Sequence, residues 1–298
     1  MQKPLVSVII SSYNRCEILK QCLNALFNQT LPSENYEVIV VDDCSSDNTW
    51  QYLSTLSPPC VLKIFRQSLR QGQASGRNRG LKEANGKYIV FIDDDIIAHK
   101  DLLKEHLLCH NKRQNLVVRG RVNHFSDKLP SKPRFTISDI SFNFFWTSNV
   151  SIEKKHLEKA GYFDESFNKY GWEDNELGFR LRRLGLHSIY HRKALAYHYK
   201  PPLKVEDLEG YWKRYQEKGE TAVLFYKKHS YFRVKLSTGI LYYRLILFLY
   251  PEIVINWIKK FLLNQPPKLP LSRWKMYLVN FISDYYYYKS IANHLLSF

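Results

Sequence analysis

Four short runs of nearly unbroken apolar residues punctuate the first hundred positions, at 6–10, 36–41, 61–65 and 88–92. Their length and their Val and Ile content are those of strands covered on both faces. Between them, residues 17–28, 48–56 and about 74–84 read as helices, the first clearly amphipathic. Strand alternating with helix predicts an α/β chain with a mostly parallel central sheet flanked by helices. In such sheets ligands gather beyond the carboxyl ends of the strands. Three polar clusters fall there, at 11–14, 42–47 and 93–95. Further on, 101–108 predicts a helix and 117–122 a strand, while 123–145 has no period and is expected to be an irregular excursion. Helices follow at 154–160 and 174–184. The second buries Leu177, Leu181 and Leu184, stops at Gly185, and carries Glu173, Asp174 and Glu176 around its positive end.

The last third abandons this alternation. Residues 211–229 predict a helix bearing many cations, and 240–263 is strongly apolar but interrupted by Arg244, Pro251 and Glu252. A membrane crossing needs about 20 predominantly apolar residues. Helices lying at a membrane interface are therefore expected ahead of a true span, with a helical subdomain packed on the preceding α/β part as the alternative. Lys259, Lys260, Lys268, Arg273 and Lys275 around the segment suit an anionic leaflet. The tyrosines Tyr285, Tyr286, Tyr287 and Tyr288 fit either that surface or an aromatic core.

Composition excludes some classes and raises a question of charge. With 45% apolar and 24% charged residues among 298, the chain is neither disordered, collagen-like nor disulfide-stapled. Its formal charge of +16 calls for an anionic partner, whether nucleic acid, a membrane or a phosphorylated small molecule. The excess is uneven, +9 over residues 199–298 against +7 over the first 198, so a boundary is expected near 200–210, at Pro201 and Pro202. Cys16, Cys22, Cys44, Cys60 and Cys109 have no metal-ligand spacing and read as buried reduced thiols. With no signal-like segment before residue 6, the expected location is the cytoplasm, peripheral to the inner face of the cell membrane.

The clusters carry the chemistry. Asp93, Asp94 and Asp95 repel one another unless a cation compensates them, which suits Mg²⁺ or Mn²⁺ bridging to a diphosphate, or else a solvated acidic turn. Asp42 and Asp43 can accept from a nucleobase N–H or simply cap a turn. The segment 72–80 lacks both the P-loop lysine and the dinucleotide glycine spacing, yet Arg77 or Arg79 could clamp phosphate. Glu173 and Asp174, after Gly171 and Trp172, offer a rigidly held carboxylate base, or ordinary helix-end acids. His198 ends a strand-like segment and is a metal ligand or a packed histidine.

Together these residues resemble glycosyltransferase family 2, the inverting nucleotide-sugar enzymes of the GT-A fold. The resemblance rests on VSVIISSYNR at 6–15, VIVVDDCSSDNT at 38–49, GQASGRNRGLKEANGKYIVFIDDD at 72–95 and TSNVSIEKKHLEKAGYFDESFNKYGWEDNELGFRLRRLG at 147–185. It implies a Rossmann-like GT-A catalytic domain over 1–205, with a donor-binding half at about 1–98 and an acceptor-binding half at about 99–205, followed by a basic, aromatic, helical region at 206–298. It implies that Asp43 reads the donor base, with Ser12, Tyr13 and Asn14 near the nucleoside and Arg77 facing the donor. Asp93 and Asp95 become the ends of a DxD-type motif, Asp95 and His198 holding Mn²⁺ or Mg²⁺ with Asp93. Asp94, the variable middle residue, joins the donor-binding group without a role of its own. Asp174 becomes the catalytic base, Glu173 positions a sugar, and Asn149 and Trp172 fall to the acceptor. Cys44 stands where glycine is common. The implied reaction moves a sugar, expected to be UDP-linked, to a glycan or lipid-linked hydroxyl in surface polysaccharide or glycoconjugate synthesis. The competing classes are a nucleotidyltransferase acting on a sugar phosphate and a basic nucleic-acid- or membrane-binding protein, with nucleic acid the least expected partner.

Overall fold

The computed structural model describes residues 3–135, 143–268 and 270–296. The four apolar runs are strands β1 (Val6–Ser12), β2 (Tyr36–Asp42), β3 (Val61–Arg66) and β4 (Tyr88–Ile92). They pair in parallel in the order β3-β2-β1-β4. Helices α1 (Cys16–Phe27), α2 (Thr49–Ser54) and α3 (Gln73–Glu83) connect them. Because successive residues of a strand point to opposite faces, the valines and isoleucines divide. Val8, Ile10, Val38 and Val40 share one core with Leu19 and Leu23 of α1. Ile9, Ile39, Ile89 and Phe91 share another with Ala74 and Leu81 of α3. This two-sided burial is why β1, β2 and β4 read as continuous apolar runs, whereas β3, at the sheet edge, is only partly buried. The packing of α3 on β1 is close enough to require Gly80, where a Cβ would stand 2.6 Å from Ile9 Cγ2.

The sheet continues through β5 (Ile96–Ala98), β6 (Leu116–Phe125), β7 (Asn149–Glu153) and β8 (His187–Tyr199), giving the order β3-β2-β1-β4-β7-β6-β8-β5. β7 and β5 run antiparallel to their neighbours, and β6 and β8 are parallel. The expected mostly parallel sheet is therefore one continuous sheet spanning both halves of the expected catalytic domain. Helices α4 (Leu102–Lys112), α5 (Lys154–Ala160) and α6 (Glu173–Arg183) complete this part. The segment expected to be irregular begins as strand, since β6 runs to Phe125; residues 136–142 lie outside the described residues.

The chain divides into two compact units, Met1–Asn168 with Glu173–Pro201, and Lys169–Trp172 with Pro202–Phe298. The division falls at Pro201, where the charge and composition change, and the short segment before α6 groups with the C-terminal unit. That unit consists of α7 (Leu208–Lys228), α8 (Phe232–Thr238), α9 (Tyr243–Phe248), α10 (Glu252–Leu263) and α11 (Arg273–Leu296). α7 and α11 pack along each other, with Trp212, Ile258, Leu262 and Ile282 in the core between the helices. Tyr285 and Tyr287 are buried in this unit, and the Tyr287 hydroxyl donates to the Thr238 carbonyl at 2.7 Å. The tyrosine run thus builds an aromatic core. Among the described residues no single helix is long and apolar enough to cross a membrane.

Candidate active site

Parallel pairing sets the carboxyl ends of β1, β2 and β4 along one edge, with Ser12 opposite Asp42. Antiparallel β7 starts at that edge, because Ile92 pairs with Asn149. The acidic triplet follows β4 there, and its three carboxylates have different partners. Asp93 accepts from Arg77 Nη2 at 3.1 Å and from the Ser148 hydroxyl. Asp94 is buried and accepts from Ser12 Oγ at 2.8 Å and Arg15 Nη1 at 2.9 Å. Burial raises its pKa to about 6, against the pull of Arg15. Asp95 accepts from Arg15 Nη1 at 2.6 Å, and its other oxygen lies 3.0 Å from His198 Nε2. Burial pushes the Asp95 pKa up, but His198 and Arg15 outweigh it and hold the carboxyl below its usual range. His198 arrives through the pairing of β5 with β8, which sets it opposite Ile96.

The Asp95 and His198 pair fits a divalent cation. Asp95 Oδ1 is buried with His198 Nε2 3.0 Å away in an ion pair that falls short of good hydrogen-bond alignment, and His198 Nδ1 is buried with no partner. A carboxylate oxygen and an imidazole nitrogen set this way are donors that suit Mn²⁺ or Mg²⁺. Asp93, the third expected ligand, accepts at both oxygens, from Arg77 and from Ser148. Among the described residues no group of three or more His, Cys, Asp and Glu side chains could enclose a metal by itself. Two donors such as Asp95 and His198 would suit an ion completed by substrate phosphates and water.

Behind the triplet lies a second network. The Arg77 guanidinium, on α3, is only 4% exposed and donates from Nη1 to Glu173 Oε1 at 2.9 Å. Its Nη2 reaches Asp93 and, at 3.1 Å, Gln73 Oε1. The guanidinium also lies 5.5 Å from the Phe163 ring centroid. Glu173 and Asp174 open α6, entered through two left-handed residues, Gly171 at φ +96° and Trp172 at +67°. Half-buried Asp174 accepts from its neighbour Asn175, from the backbone at 2.7 Å and the side-chain amide at 2.9 Å. Burial, reinforced by the charge of Glu173 and opposed by Arg77, raises the Asp174 pKa to about 7.

The third cluster frames a loop. Asp43 accepts from the backbone amides of Gln71 at 2.8 Å and Gly72 at 2.9 Å, fixing the entry to α3. Asn14 Oδ1 accepts from the Ser46 amide at 2.7 Å, tying the end of β1 to the loop after β2. Arg70 lies 4.3 Å from the Tyr13 ring centroid. Cys44 sits at φ +65°, the left-handed conformation that explains why glycine is common at its place.

Several expected assignments change. Asn149, expected at the acceptor, is 2% exposed and its amide is fully used inside the sheet. Its Nδ2 donates to the carbonyls of Arg121 and Ala194, and its Oδ1 accepts from His106 Nε2 at 2.8 Å. Arg77, expected to face the donor, is instead enclosed by carboxylates, and Ser12 and Asp94 are turned to each other. Trp172 packs in the helical unit, with Phe225 and Lys218 beside its ring. Sequence reasoning missed Arg15 and Ser148. The repulsion within the acidic triplet was the available signal, since it demands a nearby counter-charge and Arg15 follows the adjacent strand-end loop. It also missed Lys200, whose ammonium burial holds below its usual range with Asp95 and Asp93 opposing.

The comparisons with known proteins bear on the fold and the family. Chondroitin synthase of Escherichia coli is 29% identical over 274 residues, covering 76% of this chain and 39% of that protein, so this chain spans about two fifths of its length. The structure of Staphylococcus aureus TarS 1-349 with UDP superposes with a TM-score of 0.56 at 18% identity, over 98% of this chain and 92% of that one. The mannosyltransferase PcManGT of Pyrobaculum calidifontis, with GDP-Man and Mn²⁺, does so with 0.56 at 16% identity, over 99% and 75%. Both share the fold, an α/β GT-A architecture. The sequence model of glycosyl transferase family 2 matches residues 7–171, from the first strand to the turn before Glu173 and more than half of the chain, and the protein belongs to that family.

Proposed function

We propose that this glycosyltransferase inverts configuration as it moves a hexosyl or N-acetylhexosaminyl group from a UDP-sugar to a hydroxyl of a glycan or lipid-linked acceptor, in the assembly of a surface polysaccharide or glycoconjugate. The observation that carries this reading is Asp174, a carboxylate raised to about 7 at the start of α6, next to Glu173 and the Arg77 network. A base poised near the working pH is half deprotonated and still basic enough to accept a hydroxyl proton. Asp174 takes that proton as the acceptor oxygen attacks the anomeric carbon from the side opposite the diphosphate. Arg77 is a positioning residue: by holding Glu173 and Asp93 it keeps the base and the acidic triplet in register. Asp95 and His198 would hold Mn²⁺ or Mg²⁺, whose charge offsets that of the departing nucleoside diphosphate. Tyr13, Arg70, Asn14 and the loop fixed by Asp43 then receive the nucleoside.

The TarS complex with UDP and the chondroitin synthase relative support the choice of donor and of a polymer acceptor. A donor screen on the full chain tests it, reading nucleoside diphosphate release with and without Mn²⁺ or Mg²⁺. Release from a UDP-sugar, lost on chelation, restored by Mn²⁺ and abolished in Asp95→Asn, is expected. Release of pyrophosphate would overturn the transfer reading, and full activity under chelation would overturn the metal assignment.

A further inference from the structure

The helical unit carries a surface unrelated to transfer chemistry. α10 has a broad apolar face, interrupted by a single polar stripe of Glu252, Asn256, Lys259 and Lys260, and a face that wide is expected to be covered by protein or lipid. Only one side is enclosed: Ile255, Ile258 and Leu262 are buried in the unit's core, whereas Ile253 is 86% and Trp257 67% exposed. The end of α9 continues the exposed apolar surface, with Leu245, Leu249 and Phe248, the last 85% exposed. Trp257, Phe261 and Trp274 form an aromatic row with centroid separations of 6.2 and 5.9 Å, and Lys275 Nζ lies 5.7 Å from the Trp274 ring centroid. Contiguous apolar exposure of this kind marks an interaction site.

Charge identifies the occupant. Residues 231–280 contain eight Lys and Arg and a single acid, Glu252, which is bonded to Lys289 and Tyr285. Arg244, Lys260, Lys268 and Arg273 are exposed around the apolar surface. Apolar side chains with tryptophans and a rim of cations match the boundary between the acyl chains and headgroups of an anionic bilayer. The geometry favours lying on the bilayer over crossing it. Phe232–Phe248 and α10 reach the length and apolarity of a span only together, and they are bent by 94° at the break. One side of α10 is also already committed to the protein core.

We propose that the outer face of α9 and α10, with the start of α11, seats on an anionic membrane leaflet, inserting Phe248, Ile253 and Trp257 to the depth of the headgroup and acyl boundary while the surrounding cations engage lipid phosphates. The inference stands on the surface of the helical unit and is independent of the proposed reaction. The test is partition of the full chain onto vesicles of phosphatidylcholine with about one third phosphatidylglycerol, by flotation and tryptophan fluorescence. Binding with a blue shift, quenched by lipids brominated near the headgroup, is expected, as is roughly tenfold weaker binding to pure phosphatidylcholine. Phe248→Ser with Ile253→Ser should weaken partition at least tenfold, and Arg244→Gln with Lys260→Gln also about tenfold or more on anionic vesicles only. All four positions are exposed, so the thermal midpoint should stay at the wild-type value. Failure of the wild-type chain to float, or a stable lipid-free dimer that both surface variants dissociate, would overturn the proposal; quenching from the bilayer centre would replace lying by crossing.

Discussion

Replacing Arg77 by Met exposes the energetic logic of the site. The guanidinium is nearly inaccessible to solvent, and it is the shared counter-charge of Glu173, Asp93 and, through space, Asp174. Methionine matches much of the side chain's length and keeps the contact with Phe163, so the substitution isolates the charge. Removing one partner of a buried ion pair costs about 3–5 kcal/mol, because the remaining charge stays buried without compensation. For a unit of about 200 residues each kcal/mol moves the thermal midpoint by about 2–4 °C, so the loss should lie at roughly 6–20 °C. The loss should also depend on pH. Without Arg77 the carboxyl of Asp174, already at about 7, rises further. A carboxyl with a higher pKa folded than unfolded binds more protons in the folded state, so stability falls as pH increases between the two values. The deficit of Arg77→Met should therefore widen from pH 5 to pH 8 in thermal unfolding followed by circular dichroism. Adding Glu173→Gln should recover part of it. A midpoint within about 2 °C of wild type at pH 8, or a deficit flat across that range, would refute the assignment of Arg77 as a buried counter-charge.

Three further predictions concern stability alone. The buried chain from Asn149 through His106 and Ser151 to His110 has a defined proton direction: Asn149 Oδ1 accepts from His106 Nε2, His106 Nδ1 accepts from Ser151, and Ser151 accepts from His110, each at 2.8 Å. Ser151→Ala leaves two ring nitrogens unsatisfied and should cost about 1–3 kcal/mol for each, read from urea midpoints. Burial lowers the His106 and His110 pKa values to about 3 and 4, so stability should be lost as pH falls from 6.5 towards 4, where the unfolded chain binds the extra protons. Cys44, at φ +65°, should accept glycine within about 1 kcal/mol of wild type or with a gain, while Cys44→Val should lose about 1–2 kcal/mol in the same assay.

The residues readable from sequence are those whose signal is local. β1, β2 and β4 were legible because both faces are covered, leaving no polar alternation to confuse the pattern. β5 was not, because three residues, Ile96–Ala98, carry no period. The first half of β8 is partly exposed and its register with β6 shifts at Gly120 and Arg121, which hides it from any simple pattern. At the site, the strand-end clusters were legible as a group, since the topology brings the ends of β1, β2 and β4 together and the pairing of β5 with β8 sets His198 near Asp95. Partnerships were another matter. Arg77 is 96 positions from Glu173, and Asn149 is 43 from His106. A polar residue at a strand end looks the same in sequence whether it faces a ligand or a buried histidine.

The central claim is that Asp174 is the base of an inverting transfer, and Asp174→Asn tests it most directly when turnover and donor affinity are measured on the same preparation. Removing a general base should lower nucleoside diphosphate release by about 10²–10⁴-fold. Donor affinity by calorimetry should stay within about threefold of wild type, since the base serves the acceptor. Turnover near the wild-type rate in a folded Asp174→Asn protein would contradict the account.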